Sequence, residues 1–210
     1  MSWYQKESQM NRFIVLLMSV FLIASCTNET ATIRYYKLAS NSSAPEAVDN
    51  NAAKNQQQLV ILEPIILAEF LRRKGLVIQK NEYQIQISNI HRWAEELDRA
   101  TARLIREELE KMLVGFRVED QNSRWKLKPS FRISVELSQF QVNHKNQTIT
   151  SGQFWVFGKD RTLKVKKHFN FEIDLAQDGY EHAISQLELS LEKLSQLIAD
   201  ELLNMDGSAQ

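Results

Sequence analysis

Little in this 210-residue chain invites covalent or metal chemistry. It has one cysteine, so no disulfide can close within it and a cysteine-rich zinc site is excluded. Its six glycines are scattered, and no two are placed to build a phosphate-cradling loop. Net charge is also missing: 26 basic side chains meet 26 acidic ones. A nucleic-acid partner is therefore not expected, because such a protein needs a basic surface to neutralise phosphates. There is no GxSxG, HExxH, Walker loop or dinucleotide fingerprint. His91, His144, His168 and His182 lack metal-ligand spacing. No catalytic residue, metal site or cofactor is expected, and an enzyme is not the reading.

What is present begins at the N-terminus. Lys6 and Arg12 precede Phe13–Ala24, twelve residues with Ser19 the single polar one. As a helix this run spans about 18 Å, too short for a bilayer core of roughly 30 Å. A basic start and a short apolar run predict a secretory signal, residues 1–25. Met10 is a second candidate start, since it keeps Arg12 and the whole run. The run ends Leu22-Ile23-Ala24-Ser25-Cys26, which resembles the bacterial lipobox. That resemblance implies diacylation of Cys26 and a mature chain beginning there. Several acyl chains give stable anchoring. Thr27, where lipoproteins retained at the inner membrane carry Asp, implies the outer membrane, with the domain in the periplasm.

Residues 26–34 read as a lipidated tether and 39–58 as a polar loop rich in Ser, Asn, Ala and Gln. Tyr35–Leu38 is either part of the tether or a first strand. Leu59–Leu62 and Leu76–Gln79 read as strands, and Tyr83, Ile85 and Ile87 alternate in a third. His91–Val114 reads as a helix with an apolar stripe of Trp93, Leu97, Leu104, Ile105, Leu109 and Met112. Three strands follow, around Phe131–Leu137, Gln153–Phe157 and Leu163–Leu175. The first and third alternate apolar with polar, as strands with one packed and one wet face do. Lys167 interrupts the apolar side of the third. A helix from Gly179 to Asn204 closes the chain, with Asp178 and Glu181 spaced as a capping box. The expected fold is an α/β sandwich: two long helices on a mixed, largely antiparallel sheet of five or six strands. It forms one domain over 35–205, with 206–210 a disordered tail.

Two features stand out. Phe154-Trp155-Val156-Phe157 is apolar on both faces of its strand, while the neighbouring strands are polar on one. One pair, Phe154 with Val156 or Trp155 with Phe157, therefore has no place in a one-sided core and marks a partner surface, unless a loop covers it. Beside it, Lys159, Arg161, Lys164, Lys166 and Lys167 crowd into nine residues. They either guard a sheet edge or attract an acidic partner or headgroup. Phe154, Trp155, Val156, Phe157, Lys164 and Lys166 are the interaction candidates.

The region from Tyr35 to about Glu119 resembles the auxiliary lipoproteins of ABC-type and MCE-type transporters, in particular the lipoprotein of the paraquat-inducible (Pqi) system. The resemblance rests on Tyr35-Tyr36-Lys37-Leu38, Val60 to Leu67 around Pro64, Phe70-Leu71, Leu76-Val77 and Arg92-Trp93-Ala94-Glu95-Glu96-Leu97. Ala68, Arg72 and Glu96 depart from the family's usual Pro, Asp and Pro. The resemblance implies a non-enzymatic lipoprotein at the outer membrane that docks a periplasmic MCE tube moving lipids or other hydrophobic molecules. It also implies that Tyr35–Leu38 is a strand. Copies of the chain itself are a second possible partner. The alternative is a lipid-binding carrier, which would need an enclosed apolar pocket.

Overall fold

A computed structural model describes residues 31–39, 58–121 and 128–207. Along them run β1 (Arg34–Tyr36), β2 (Gln58–Leu62), β3 (Ile66–Leu67), a 3-10 turn (Glu69–Arg72), β4 (Gly75–Gln79) and β5 (Ile85–Trp93). Then come α1 (Leu97–Met112), β6 (Phe116–Asp120), β7 (Phe131–Val142), β8 (Gln147–Gly158), β9 (Leu163–Asp174) and α2 (Tyr180–Gly207). The architecture is the expected one, two helices on a mixed sheet. The strand number is not: the described residues form a nine-stranded sheet, where five or six were expected. β1, of three residues, falls where the resemblance implied a strand at Tyr35–Leu38; the strands not expected are β3 and β6, of two and five residues. Segments so short carry too few alternations for a period to show.

β7 is the spine. One edge pairs antiparallel with β8 along its length. Its other edge takes β2, β3 and β4 in succession, all parallel. β6 extends the sheet beyond β2, and β5 and β1 extend it beyond β4. β9 pairs with β8 and ends the sheet on that side. Gly152 lets β7 and β8 approach at a bulge. A Cβ there would lie 1.9 Å from the Glu136 carbonyl oxygen and 3.1 Å from the Phe169 ring, so no other residue fits without a backbone shift.

Both helices pack on one face of the sheet. α1 buries Leu97, Leu104, Ile105 and Leu109; α2 buries Ile184, Leu187, Leu191, Leu194, Ile198 and Leu202. Against them lie Val60, Leu62, Ile133, Val135, Leu137, Phe154 and Val156 in one continuous core. Each such side chain contributes about 1.5–3 kcal/mol by leaving water. Within α2, Ser190 stays compatible with this core because its hydroxyl meets that of Thr150 at 2.6 Å. Lys167, the interruption on the apolar side of β9, reaches over to the Glu201 carboxylate of α2.

Several expectations are corrected. Trp93 is buried, as its apolar setting suggests, but it ends β5 and packs on Phe140 with ring centroids 6.2 Å apart; α1 begins four residues later. Tyr83 is 94 % exposed in the turn before β5 instead of joining its alternation. The Asp178–Glu181 box is out of register, since α2 starts at Tyr180 directly after Gly179, whose φ is +120°. The helix also runs through Gly207, into the stretch expected as a tail. A register shift at Val156/Phe157 puts Leu163 opposite Phe157, away from the core side that carries Val165.

Candidate functional surface

The helix-free face of the sheet is built row by row from strand register. One row runs Glu119, Ile61, Arg132, Phe157 and Leu163 across β6, β2, β7, β8 and β9. The next holds Ser134, Trp155 and Lys166, and a third holds Ile66, Glu136, Gln153 and His168. β8 thus divides its four apolar residues by parity. Phe154 and Val156 point into the core with 0 % exposure, while Trp155 and Phe157 lie half-buried on the opposite face.

Around these two aromatics the face is apolar at its centre and polar at its margins. Leu163, opposite Phe157, is 54 % exposed, and Ile66, across β7 in the row of Glu136 and Gln153, is 52 % exposed. Lys166 sits with Nζ 5.8 Å from the centre of the Trp155 ring, a cation–π contact. The Gln153 amide donates to the Glu136 carboxylate at 2.9 Å, and the Ser151 hydroxyl donates to the Gln139 side-chain oxygen at 2.9 Å. Lys164 is exposed at the register shift that opens β9. The β8–β9 turn that sets these positions is tied by Asp160, whose carboxylate accepts the Thr162 hydroxyl at 2.6 Å and the Thr162 N–H at 3.2 Å. These two bonds hold the Asp160 carboxyl below its ordinary range.

All six interaction candidates therefore lie on β8 and β9, but on two faces. Trp155, Phe157 and Lys166 share the open one; Phe154 and Val156 belong to the core. Sequence reasoning missed Ile66 and Arg132 as members of this surface, and Ile61, which shares their face but is buried at 8 % exposure. A signal for Ile61 existed, because Leu59–Leu62 is apolar on both faces just as Phe154–Phe157 is. Cys26 lies outside the described residues.

A second region lies where the first turns of α2 meet β4, β5 and β7. There a small cleft with about 20 Å³ of space, partly open to solvent, is lined by Val77, Trp93, Phe140, Gln141, Tyr180 and Ile184 among others. That is far below the roughly 300–1,000 Å³ usual for small-molecule pockets, and neither Trp155 nor Phe157 lines it. Beside it Tyr180 stacks on His91 at 3.6 Å, and the Tyr36 hydroxyl meets His91 Nδ1 at 2.9 Å. From Tyr36 the chain passes between the helices. Arg103 donates to the Leu38 carbonyl at 2.9 Å, and the Ala39 N–H donates to the Glu188 carboxylate at 2.6 Å. Burial pushes the Glu188 carboxyl above its ordinary value of 4.5, opposed by that Ala39 bond. Among the described residues no group of three His, Cys, Asp or Glu could hold a metal ion. Nor is any of their helices long and apolar enough to cross a membrane.

The described residues thus form a two-layer α/β domain whose helix-free sheet face carries half-buried aromatics. The chain belongs to the family of ABC-type transport auxiliary lipoprotein components, whose family model matches residues 36–199. It is 24 % identical over 178 residues to the intermembrane transport lipoprotein PqiC of Escherichia coli strain K12, covering 85 % of this chain and 90 % of that protein. Its fold is similar to a solved structure of an uncharacterized protein, with TM-score 0.69 and 22 % identity over 81 % of this chain and 99 % of that one. A Xanthomonas campestris protein shares the fold at TM-score 0.61 and 8 % identity, covering 84 % of this chain and all of that one. The chain is thus an auxiliary lipoprotein component of a transport system, similar to an intermembrane transport lipoprotein.

Proposed function

We propose that this protein is held at the periplasmic face of the outer membrane by acyl chains on Cys26. From there it docks the MCE-type tube protein of an intermembrane transport system for lipids or other hydrophobic molecules. It acts by binding and not by catalysis. The observation that carries the reading is the parity of β8: Trp155 and Phe157 stand half-buried on the face without helices. An aromatic centre within a polar rim is how interfaces concentrate binding energy. The names of the family and of the E. coli relative, and the lipobox ending at Cys26, support the transport and anchoring parts. A lipid carrier is supported less well. It would place its surplus aromatics around an enclosed cavity, whereas Trp155 and Phe157 lie outside the cleft described above.

The test compares Trp155→Ala and Phe157→Ala with Phe154→Ala and Val156→Ala. The first pair should keep the fold and lose capture of the tube protein from detergent-solubilised membranes. The second pair should lower thermal stability. Retained capture by both Trp155→Ala and Phe157→Ala would place the docking surface elsewhere. Anchoring is tested separately by Cys26→Ala, which should leave the precursor uncleaved and without acyl chains. Intact-mass measurement of a processed, acylated N-terminus in that variant would overturn the lipidation site.

A further inference from the structure

Strand direction fixes the end of the sheet at which the chain enters the domain. β1 runs parallel to β5, so the backbone comes into β1 from the end where β5 begins, at the β4–β5 turn. β4 and β7 are parallel and meet at Ile78 and Val142, so the β7–β8 turn, Asn143–Asn146, lies at the same end. Trp155 and Phe157 lie toward the other end, beside Ser134 and Arg132 near the start of β7. The twelve residues of β8, about 40 Å of strand, run from one end to the other.

The entry end carries exposed apolar side chains outside the core. Tyr83, in the β4–β5 turn, is almost wholly exposed, and Ile85 and Ile33 are exposed near it in sequence order along β5 and before β1. The turn that displays Tyr83 is braced. The Asn81 side-chain oxygen accepts the N–H groups of Tyr83 and Gln84, both at 2.9 Å, and the Lys80 N–H donates to the Gln84 carbonyl at 2.8 Å. Lys80, His144 and Lys145 are exposed on the two turns, where Glu82 is the one carboxylate.

We propose that this end of the sheet rests in a phospholipid headgroup layer, with Tyr83 inserted at the interface and the Trp155–Phe157 centre held away from the membrane. The proposal rests on the acylation of Cys26. Seven residues lead from Cys26 to Ile33, a span of at most about 25 Å. A membrane that holds the acyl chains therefore lies within that distance of Ile33, and the direction of β1 selects the end of the sheet that meets it. Tyrosine suits the position, because its ring favours the acyl boundary and its hydroxyl the headgroups. Ile85 and Ile33 add apolar surface, and Lys80 and Lys145 meet lipid phosphates. Acyl chains alone leave a domain free to swivel on its tether; a second contact fixes its orientation. In the inverted orientation the β8–β9 turn with Lys159 would meet the lipid, and the aromatic centre would be lost to a periplasmic partner.

The test uses the full-length acylated chain in vesicles of phosphatidylethanolamine and phosphatidylglycerol. Acylation turns the sole thiol of the chain into a thioether. Gln84→Cys or Lys159→Cys then gives a single site for an environment-sensitive fluorophore. The label at residue 84 should be quenched by spin-labelled headgroups, and the label at residue 159 should not. Tyr83→Ser, made in the Gln84→Cys chain, should lose most of that quenching while thermal melts and vesicle binding stay unchanged. Quenching at residue 159 alone, at both residues equally or at neither overturns the proposal. So does quenching at residue 84 that Tyr83→Ser leaves unaltered. Failure of the Cys26 reading shows separately and removes the ground of this proposal as well: the wild-type chain itself would take the fluorophore, and its intact mass would show no acyl chains.

Discussion

The two faces of β8 are one residue apart in sequence and opposite in fate. Phe154 and Val156 are sealed under α2, while Trp155 and Phe157, no less apolar, stay half-open beside Arg132 and Lys166. The difference is one of supply. Two helices lie on one face of the nine-stranded sheet, and among the described residues no helix covers the other. An apolar side chain on the covered face works for stability. On the helix-free face the outcome is divided: Ile61 and Ile149 are buried at 8 % and 9 % exposure, while half-open rings such as Trp155 and Phe157 add less to folding and are available for a partner.

The sharpest way to break this comparison is to truncate one ring on each face. Phe154→Ala should cost on the order of 3–5 kcal/mol, read from denaturant midpoints. Trp155→Ala should cost less than about 1 kcal/mol, since its ring is half solvated already. Equal losses would mean that both faces are packed. Next in size is Gly152→Ala, which drives a Cβ into the Glu136 carbonyl at the β7–β8 bulge. A loss of about 1–3 kcal/mol is expected from overpacking, and an unchanged midpoint would show that the bulge is slack. Smaller still is Thr150→Val, which removes the hydroxyl facing Ser190. Ser190 also donates to the Leu187 carbonyl at 2.6 Å, so about 1 kcal/mol is expected.

The smallest effect concerns Glu188, where α2 meets Ala39 instead of the sheet. Its carboxyl is raised above 4.5 in the folded state, so the native protein holds that proton more tightly than the unfolded chain does. Its contribution to stability is therefore greatest at low pH and falls as pH rises through the raised value. Glu188→Gln should keep the Ala39 bond through the amide oxygen and should match or exceed the wild type at neutral pH. The difference should vanish as pH falls to about the ordinary carboxylate range. Melting curves from pH 4 to 8 check this; a variant that is less stable at neutral pH alone would reverse the sign.

Much of the fold is legible from local periods. The stripes of α1 and α2 give both helices, and the alternation of Phe131–Leu137 and of β9 gives two long strands and their wet faces. What escapes is non-local. β8 is expected over five residues and spans twelve, because its first half carries Thr148, Thr150 and Gly152 on the core side and reads as polar. Thr150 is buried through a hydroxyl that arrives from a helix forty residues later, which no local pattern announces. Trp93 fits a helical stripe equally well as the end of a strand, since a single apolar residue belongs to either period. β3 and β6 gain strand character from their pairing with β7 and β2.

Sequence alone carries the lipobox-like run ending at Cys26, and it determines the two amphipathic helices, the wet and dry sides of the long strands, and the fact that Phe154–Phe157 holds one apolar pair too many for a one-sided core. Tertiary structure decides which pair is surplus. The parity of a strand has meaning only relative to the face on which the helices settle, and a one-residue shift of register would exchange Phe154 for Trp155. That register is held by the β7–β8 pairing, the Gly152 bulge and the Asp160 turn, and the covered face is chosen by where α1 and α2 land. Each of these joins residues far apart in the chain or depends on backbone geometry that composition does not carry.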